Sequence, residues 1–325
     1  MIQVCKKTSA QFEVSDRQRQ FMDKIAPVIG GQKQTLPLPT LCPQERQRRR
    51  MSFRNERKMY HRKCDLTGKQ IIAIYPADAP FPVYSSDAWM GDRWDARTYG
   101  QPFDFNRPFF EQFVELRNKV PHLERIMHNN ANSDYCNIVG TSKNCYLIFG
   151  SIDCEDCYYG NPFRCKDCAD SLLLRDSELC IECMDSTKLY GCYQCQNCVN
   201  SQNLRYCAAV QNSHDCFACV NLNHAQYQIL NKQYAPGEYK KRVDEIMNGE
   251  PAALAAVVQE FQELKLSVPH RYYIGTNNEN VSGDYIFNSK DCFDSFNVAS
   301  CRDVMYGTQL LEMKDAADVD YGEIG

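Results

Sequence analysis

Fourteen of the chain's 19 cysteines lie between Cys136 and Cys219. Thiolates bind zinc, hold clusters or exchange disulfides. This stretch offers five Cys-x-x-Cys groups: Cys154/Cys157, Cys165/Cys168, Cys180/Cys183, Cys192/Cys195/Cys198 and Cys216/Cys219. Alone, each reads as a metal knuckle or redox pair. The wider pattern gives another reason for the spacing. Set out in nines from Ser133, Ser177 and Ser289, the chain yields ten units, among them SDYCNIVGT, SIDCEDCYY, SELCIECMD and SHDCFACVN. Their first position is Ser in seven, their fourth is Cys in nine (Leu189 is the exception), and their seventh is always Val, Ile, Cys or Ser. A metal ligand cannot be exchanged for valine, whereas a small buried side chain can, and free cysteine packs as a small hydrophobe. The cysteines therefore read as core. Cys165/Cys168 falls outside the units and is the local exception.

Small residues three apart, with polar residues between them, predict a mainly β fold: a parallel β-solenoid with a narrow Ser/Cys/Val core. Coils of 18 residues, with 27 as the alternative, would stack Cys180 on Cys198 or on Cys207, ~4.8 Å apart. Cys180, Cys183, Leu189, Cys198, Cys207 and Cys216 should then be buried, and Glu178, Glu182, Lys188, Gln196 and Arg205 exposed. The solenoid is expected over 129–221 and again over 280–325.

Three other segments frame it. Residues 222–279 read as a helical-hairpin insertion. Pro236 opens a helix carrying Tyr239, Val243, Ile246 and Met247, Asn248-Gly249 stops it, and Glu250-Pro251 opens a second with Leu254, Val257, Val258, Phe261 and Leu264. The solenoid flank is its expected seat. Residues 76–128 read as a linker and capping helix. Asn106-Arg-Pro108 starts the helix, Phe109, Phe110, Phe113, Leu116 and Val120 follow at helical spacing, and Pro121 ends it. Its aromatic stripe is expected to be core, covering the open end of the repeat.

Residues 1–75 read as a basic, zinc-ribbon-like module. The ribbon signature is two Cys-x-x-Cys knuckles. Here each keeps one cysteine, in Cys5-Lys-Lys-Thr8 and Cys42-Pro-Gln-Glu45. Cys5, Cys42 and Cys64 are the candidate metal ligands, with His61 as a fourth. Four good ligands are not in place, so a ribbon held by packing, with no cofactor, is the expectation and zinc the alternative. The same module holds a basic run. Arg46, Arg48, Arg49, Arg50, Arg54, Arg57, Lys58, Arg62 and Lys63 surround one acid, Glu56, with Phe53, Met59 and Tyr60 interleaved. Guanidinium forks beside aromatic rings are the chemistry of a nucleic-acid surface.

The first 70 residues hold 16 Lys and Arg against 6 Asp and Glu, and the remainder 21 against 35. Such asymmetry suggests two roles, or a basic arm meeting an acidic surface of a partner. No segment approaches the ~20 apolar residues of a membrane helix, and the N-terminus lacks an apolar leader. A cytoplasmic, reducing location is the expectation, with thiols rather than disulfides.

The runs LCPQERQRRRMSFRNERKMYHRKCDLTGK, WDARTYGQPFDFNRPFFEQFVEL, NCYLIFG with serial DCxxC units, and YQILNKQYAPGEY resemble zinc-ribbon plus Cys-rich-repeat proteins from genomes of uncultivated bacteria. The resemblance spans nearly all of the chain. It implies the ribbon-plus-solenoid architecture and no particular activity. Those proteins carry paired cysteines where this chain has Thr8 and Glu45.

No Walker motif, dinucleotide-binding glycine run, nucleophile elbow or HExxH is present, and the six histidines do not cluster. The expected function is a non-enzymatic scaffold binding a protein or another macromolecule. It has no membrane role and can self-associate through an open solenoid end. The alternative is a nucleic-acid-associated accessory protein. A further alternative is a metal-binding or carbohydrate-active protein using the acid cluster Asp153, Glu155, Asp156, Asp167 and Asp170.

Overall fold

The computed structural model describes residues 1–52 and 55–323. Arg54 lies outside the described residues. The chain is mainly β, dominated by parallel sheets, and divides into two compact units: residues 1–54 with 270–325, and residues 55–269. The expected 1–75 module is thus shared between the two.

In the first unit, helices α1 (Asp16–Lys24) and α2 (Pro43–Met51) accompany two parallel sheets. Ser15 caps α1 by accepting from the Gln18 amide at 3.1 Å. Pro43 opens α2, where its missing N–H costs nothing. One sheet joins Gly275–Thr276, Gly283–Phe287, Ser295–Ala299, Thr308–Leu311 and Asp320–Glu323, and the other joins Lys290–Phe293, Arg302–Met305 and Lys314–Ala317. Cys292, Val298, Cys301, Val304 and Leu310 form the core beneath them.

The second unit holds helices α3 (Ser86–Met90), α4 (Phe109–Lys119), α5 (Pro236–Asn248) and α6 (Pro251–Ser267). It also holds a ten-stranded sheet running from Met127–His128 to Lys232–Gln233. All neighbours in that sheet are parallel except the last pair, where Lys232–Gln233 turns back antiparallel on Gln226–Ile229.

The strand register corrects the expected repeat length. Thr187 pairs with Val199, Ala169 with Ile181 and Ile181 with Tyr193. Each residue meets the one twelve further on, so Cys180 stands beside Cys192 rather than Cys198 or Cys207. The period of three is correct. Cys180, Cys183, Leu189, Cys198, Cys207 and Cys216 are buried, while Glu178, Glu182, Lys188 and Arg205 are exposed; Gln196 is half-buried. Nine and twelve are both multiples of three, so burial alone cannot separate them.

Twelve residues comprise four triplets, and each triplet turns the chain at its second residue. Asp176, Leu179, Glu182, Asp185 and Lys188 all have φ between 49° and 55°. Left-handed φ is costly for most residues and cheapest for Asn, Asp and Gly, which explains the recurring Asp-Cys and Asn-Cys pairs. Buried hydroxyls and thiols are satisfied locally. Ser171 Oγ donates to the Ala169 carbonyl at 2.8 Å and accepts from the Cys183 amide at 3.2 Å. Cys180 Sγ donates to the Glu178 carbonyl at 3.3 Å. Each period between Leu174 and Cys219 holds one branched aliphatic (Leu174, Leu189, Leu204 or Val210) among Ser and Cys, all buried. The core thus receives one large group per period and no more.

One period in each unit is eleven residues long: Tyr158 pairs with Ala169, the register shifting between Asn161 and Pro162, and Gly275 pairs with Ile286. Gly160 permits the slip, because a Cβ there would sit 2.0 Å from the Ser171 carbonyl oxygen. Gly283 does the same in the first unit, at φ 128° and with Ser295 O 1.8 Å from the ideal Cβ position.

Helix α4 departs from expectation in its packing. Its bounds agree with the sequence, but Phe109, Phe110 and Phe113 are exposed, and its buried residue is Gln112. The Gln112 amide accepts from the Asp104 N–H at 2.8 Å and donates to the carbonyls of Asp104 and Arg107. A buried amide fully used by the adjoining loop anchors the helix, and the phenylalanines are left outside.

Candidate interaction surfaces and cysteine knuckles

The basic run is largely consumed within the protein. In the first unit, Arg46 Nε contacts both Asp318 carboxylate oxygens at 3.0 and 2.9 Å, and Arg50 reaches Asp318 at 3.0 Å and Asp320 at 2.6 Å. Arg46 also lies over the Tyr306 ring. On α1, Lys24 pairs with Asp303 and Asp315, and Arg17 stacks on Phe293. The basic arm thus meets an acidic surface of its own unit, set by Asp303, Asp315 and Asp318 at the left-handed corners. Arg48 is turned to Glu45. In the second unit, Arg62 is buried and donates to Asp65 and the Pro76 carbonyl. Arg57 lies over Phe149 and Lys58 over Tyr60. Arg49 and Lys63 are exposed.

Two of the three cysteines offered as metal ligands, Cys5 and Cys64, occupy equivalent turns, and Cys42 is the N-cap of α2. Cys5 and Cys42 are buried in the first unit, and Cys64 is buried in the second. Cys5 leads Cys5-Lys-Lys-Thr8, with the Ser9 amide on its carbonyl at 2.9 Å, and Cys64 leads Cys64-Asp-Leu-Thr67, with the Gly68 amide on its carbonyl at 2.8 Å. In both, burial pushes the thiol pKa up, but hydrogen bonds to the sulfur prevail. Thr8 and the backbone at Cys42, Thr8 and Lys7 bring Cys5 down to about 6. Thr67 and the backbone at Ser85, Thr67 and Leu66 bring Cys64 down to about 7. Thr fills the second knuckle position in each, and Glu45 faces Arg48. This donor set does not supply the four ligands of a closed zinc site. Among the described residues, no three His, Cys, Asp or Glu side chains are grouped as metal ligands. The equivalence of the two turns was legible in the parallel between Cys5-x-x-Thr8 and Cys64-x-x-Thr67.

The stack cysteines are shifted in both directions: hydrogen bonds from neighbouring thiols lower Cys145, Cys165, Cys183, Cys192 and Cys219, while burial raises others. Desolvation raises Cys136 to about 11 and pushes Cys207 well above its ordinary value. Cys165 and Cys168, expected to be exceptional, sit buried in the same stack and donate to backbone carbonyls as their neighbours do. Two of the five acids in the cluster are engaged along the stack, while Asp153, Asp167 and Asp170 are exposed. Glu155 lies 3.5 Å from Lys143 and 3.9 Å from Lys166, and Asp156 accepts from Asn144 at 3.1 Å.

Helices α5 and α6 pack on one flank of the second unit's stack, as the sequence predicts. Tyr239, Val243 and Phe261 meet Phe217, Ala218, Val220 and Ile229. Lys265 at the end of α6 donates to Gln196 at 2.8 Å. Among the described residues, no helix is long and apolar enough to cross a membrane.

No family model matches the chain, and no curated protein matches it. Among solved structures, the chain is similar at 11% identity to a crystal structure assigned as an acetyltransferase from Desulfovibrio desulfuricans G20. The match covers 61% of this chain and 59% of that one, with a TM-score of 0.13, a likeness that carries no argument.

Proposed function

We propose that the chain is a non-enzymatic binding scaffold built on two narrow, four-sided β-solenoids, each coil made of four triplets. The observation that carries this reading is the twelve-residue register with every third residue buried. It turns the remaining residues into long, flat outer columns, and the molecule uses one such face to seat its own helical hairpin. Glu155 and Asp176 are ion-paired along the stack and the stack thiols are buried away from any substrate, which supports a surface role over a catalytic one. A nucleic-acid role through Arg46, Arg48 and Arg50 has less support, since Asp318, Asp320 and Glu45 already hold them.

The coil length is tested by insertion. Duplicating residues 187–198 adds one coil and keeps every column in register, so the melting transition and the packing of α5 and α6 should survive. Duplicating residues 186–194 keeps the period of three but shifts every downstream residue by one side, and should detach the hairpin. Tolerance of the nine-residue insertion together with loss of fold in the twelve-residue one overturns the reading. Binding of labelled RNA or DNA at low salt that is lost in Arg49→Gln/Lys63→Gln restores the nucleic-acid role.

A further inference from the structure

We infer that the chain forms a dimer in which helix α4 of each copy docks on an uncovered stretch of the other copy's β-stack, alongside α5 and α6. The inference rests on the stacked-column reading above.

The stack carries an apolar face longer than the hairpin that covers it. One outer column runs Tyr158, Ala169, Ile181, Tyr193, Arg205, Phe217, Ile229, each paired with the next. The column beside it runs Leu172, Met184, Gln196, Ala208, Val220. The downstream members Phe217, Ile229, Ala208 and Val220 lie under α5 and α6 and are buried. Upstream, the same two columns continue with Tyr158, Leu172, Ile181 and Met184, which are 40–45% exposed. The intramolecular interface reaches Tyr193, which packs on the hairpin cluster, and Gln196, which accepts from Lys265, with Arg205 exposed between Tyr193 and Phe217; the uncovered Ile181 and Met184 begin one step upstream. Contiguous exposed apolar surface of this kind marks an interaction site.

The chain also carries a helix without a seat. Helix α4 exposes Phe109, Phe110 and Phe113, with Phe110 77% exposed, and Phe103 and Phe105 extend the patch in edge-to-face contact. Its last turn is basic, with Arg117 and Lys119. The uncovered columns are acidic at their corners, where Asp170 and Glu182 follow Ala169 and Ile181. An aromatic helix with a basic end thus fits an apolar face with acidic corners. Each copy holds one of each, so a two-fold pairing uses both surfaces twice and closes at two chains.

Sedimentation of the full chain over a range of concentrations tests this. The wild type should form a dimer that dissociates on dilution. Phe110→Asp and Ile181→Glu both lie on exposed surface and should leave the melting transition unchanged. Each should raise the dissociation constant roughly tenfold or more. An equal mixture of the two variants should recover association beyond either alone, because one supplies an intact helix and the other an intact face. Phe113→Asp and Met184→Glu form a second pair should either first variant misfold. A wild type that stays monomeric, variants that dimerise unchanged, or a mixture that stays monomeric where the wild type associates each overturns the pairing. The insertion test of the coil length is unaffected by that result, so the two failures are distinguishable.

Discussion

Arg50 Nε lies 2.6 Å from Asp320, whose side chain is 4% exposed, while Arg50 itself keeps 24% exposure. The basic run therefore helps hold the first unit together. Arg50→Gln removes the guanidinium from a desolvated carboxylate, which keeps its hydrogen bond from Gln47. It should cost about 2–3 kcal/mol, less than a wholly buried pair because the guanidinium retains contact with water. Denaturant melts of Arg50→Gln and Arg49→Gln check this: only the first should shift the midpoint.

The Cys5 thiol sits near pKa 6, well below its ordinary value, and Thr8 contributes a side-chain hydrogen bond. A thiol depressed in the folded state stabilises that state fully above the ordinary thiol range, and the contribution fades as pH falls through about 6. Thr8→Val should raise the Cys5 pKa, and its destabilisation should be largest at alkaline pH and smallest in mild acid. Thiolate absorbance titrations and melts across that range provide the measurement. A stability gap independent of pH would show that Thr8 acts only by packing.

Leu204 is the single large group of its coil. Leu204→Ala should cost ~2–5 kcal/mol through the cavity it opens. Cys195→Leu places a second large group in a neighbouring coil and should cost ~1–3 kcal/mol by overpacking. Cys198→Ala should fall at the low end of the cavity range, since little volume is lost. Chemical denaturation ranks the three, and equal losses would mean the core is not filled coil by coil.

Gly283→Ala forces a Cβ onto the Ser295 carbonyl at a φ that L-residues avoid. The strained backbone alone should cost ~1–3 kcal/mol. Gly237→Ala, where nothing lies within 4 Å of the added carbon, should be close to neutral. Calorimetry of the pair separates steric need from loss of flexibility.

The buried positions and the helices were legible in the sequence because they follow local rules: small residues every third position, proline and glycine at helix ends. The twelve-residue repeat length was not, because it depends on which backbone amide meets which carbonyl across the parallel sheet. The clue lay at the corners rather than in the cysteines. Asn132 donates to Asn144, Asn144 to Asp156, and Asn200 to Asn212, each twelve residues apart. The exposure of Phe109, Phe110 and Phe113 was illegible for another reason. An aromatic stripe announces burial without saying against what, and one glutamine, Gln112, took the helix's inner position. Cys5, Cys42 and Cys64 were offered as a zinc alternative on knuckle spacing alone, which does not say whether the three lie in one unit. Cys5 and Cys64 are counterparts in two units, each with its own threonine.

Where the second unit's stack begins and ends, asparagine replaces the small interior residue. At the start, Asn130 accepts from the Ser142 amide at 2.8 Å and donates to the Val139 carbonyl at 2.7 Å. At the end, Asn231 accepts from the Val220 amide and donates to the Val220 carbonyl, both at 2.9 Å. A side-chain amide carries the same donor and acceptor as a peptide group but no chain to continue them, so it fills the next ladder position and offers nothing beyond. The strand Lys232–Gln233 then reverses direction just after Asn231, so the sheet ends on an antiparallel strand. A parallel stack is otherwise a template for fibrils. Here its length is written into the gene rather than left to the concentration of other strands.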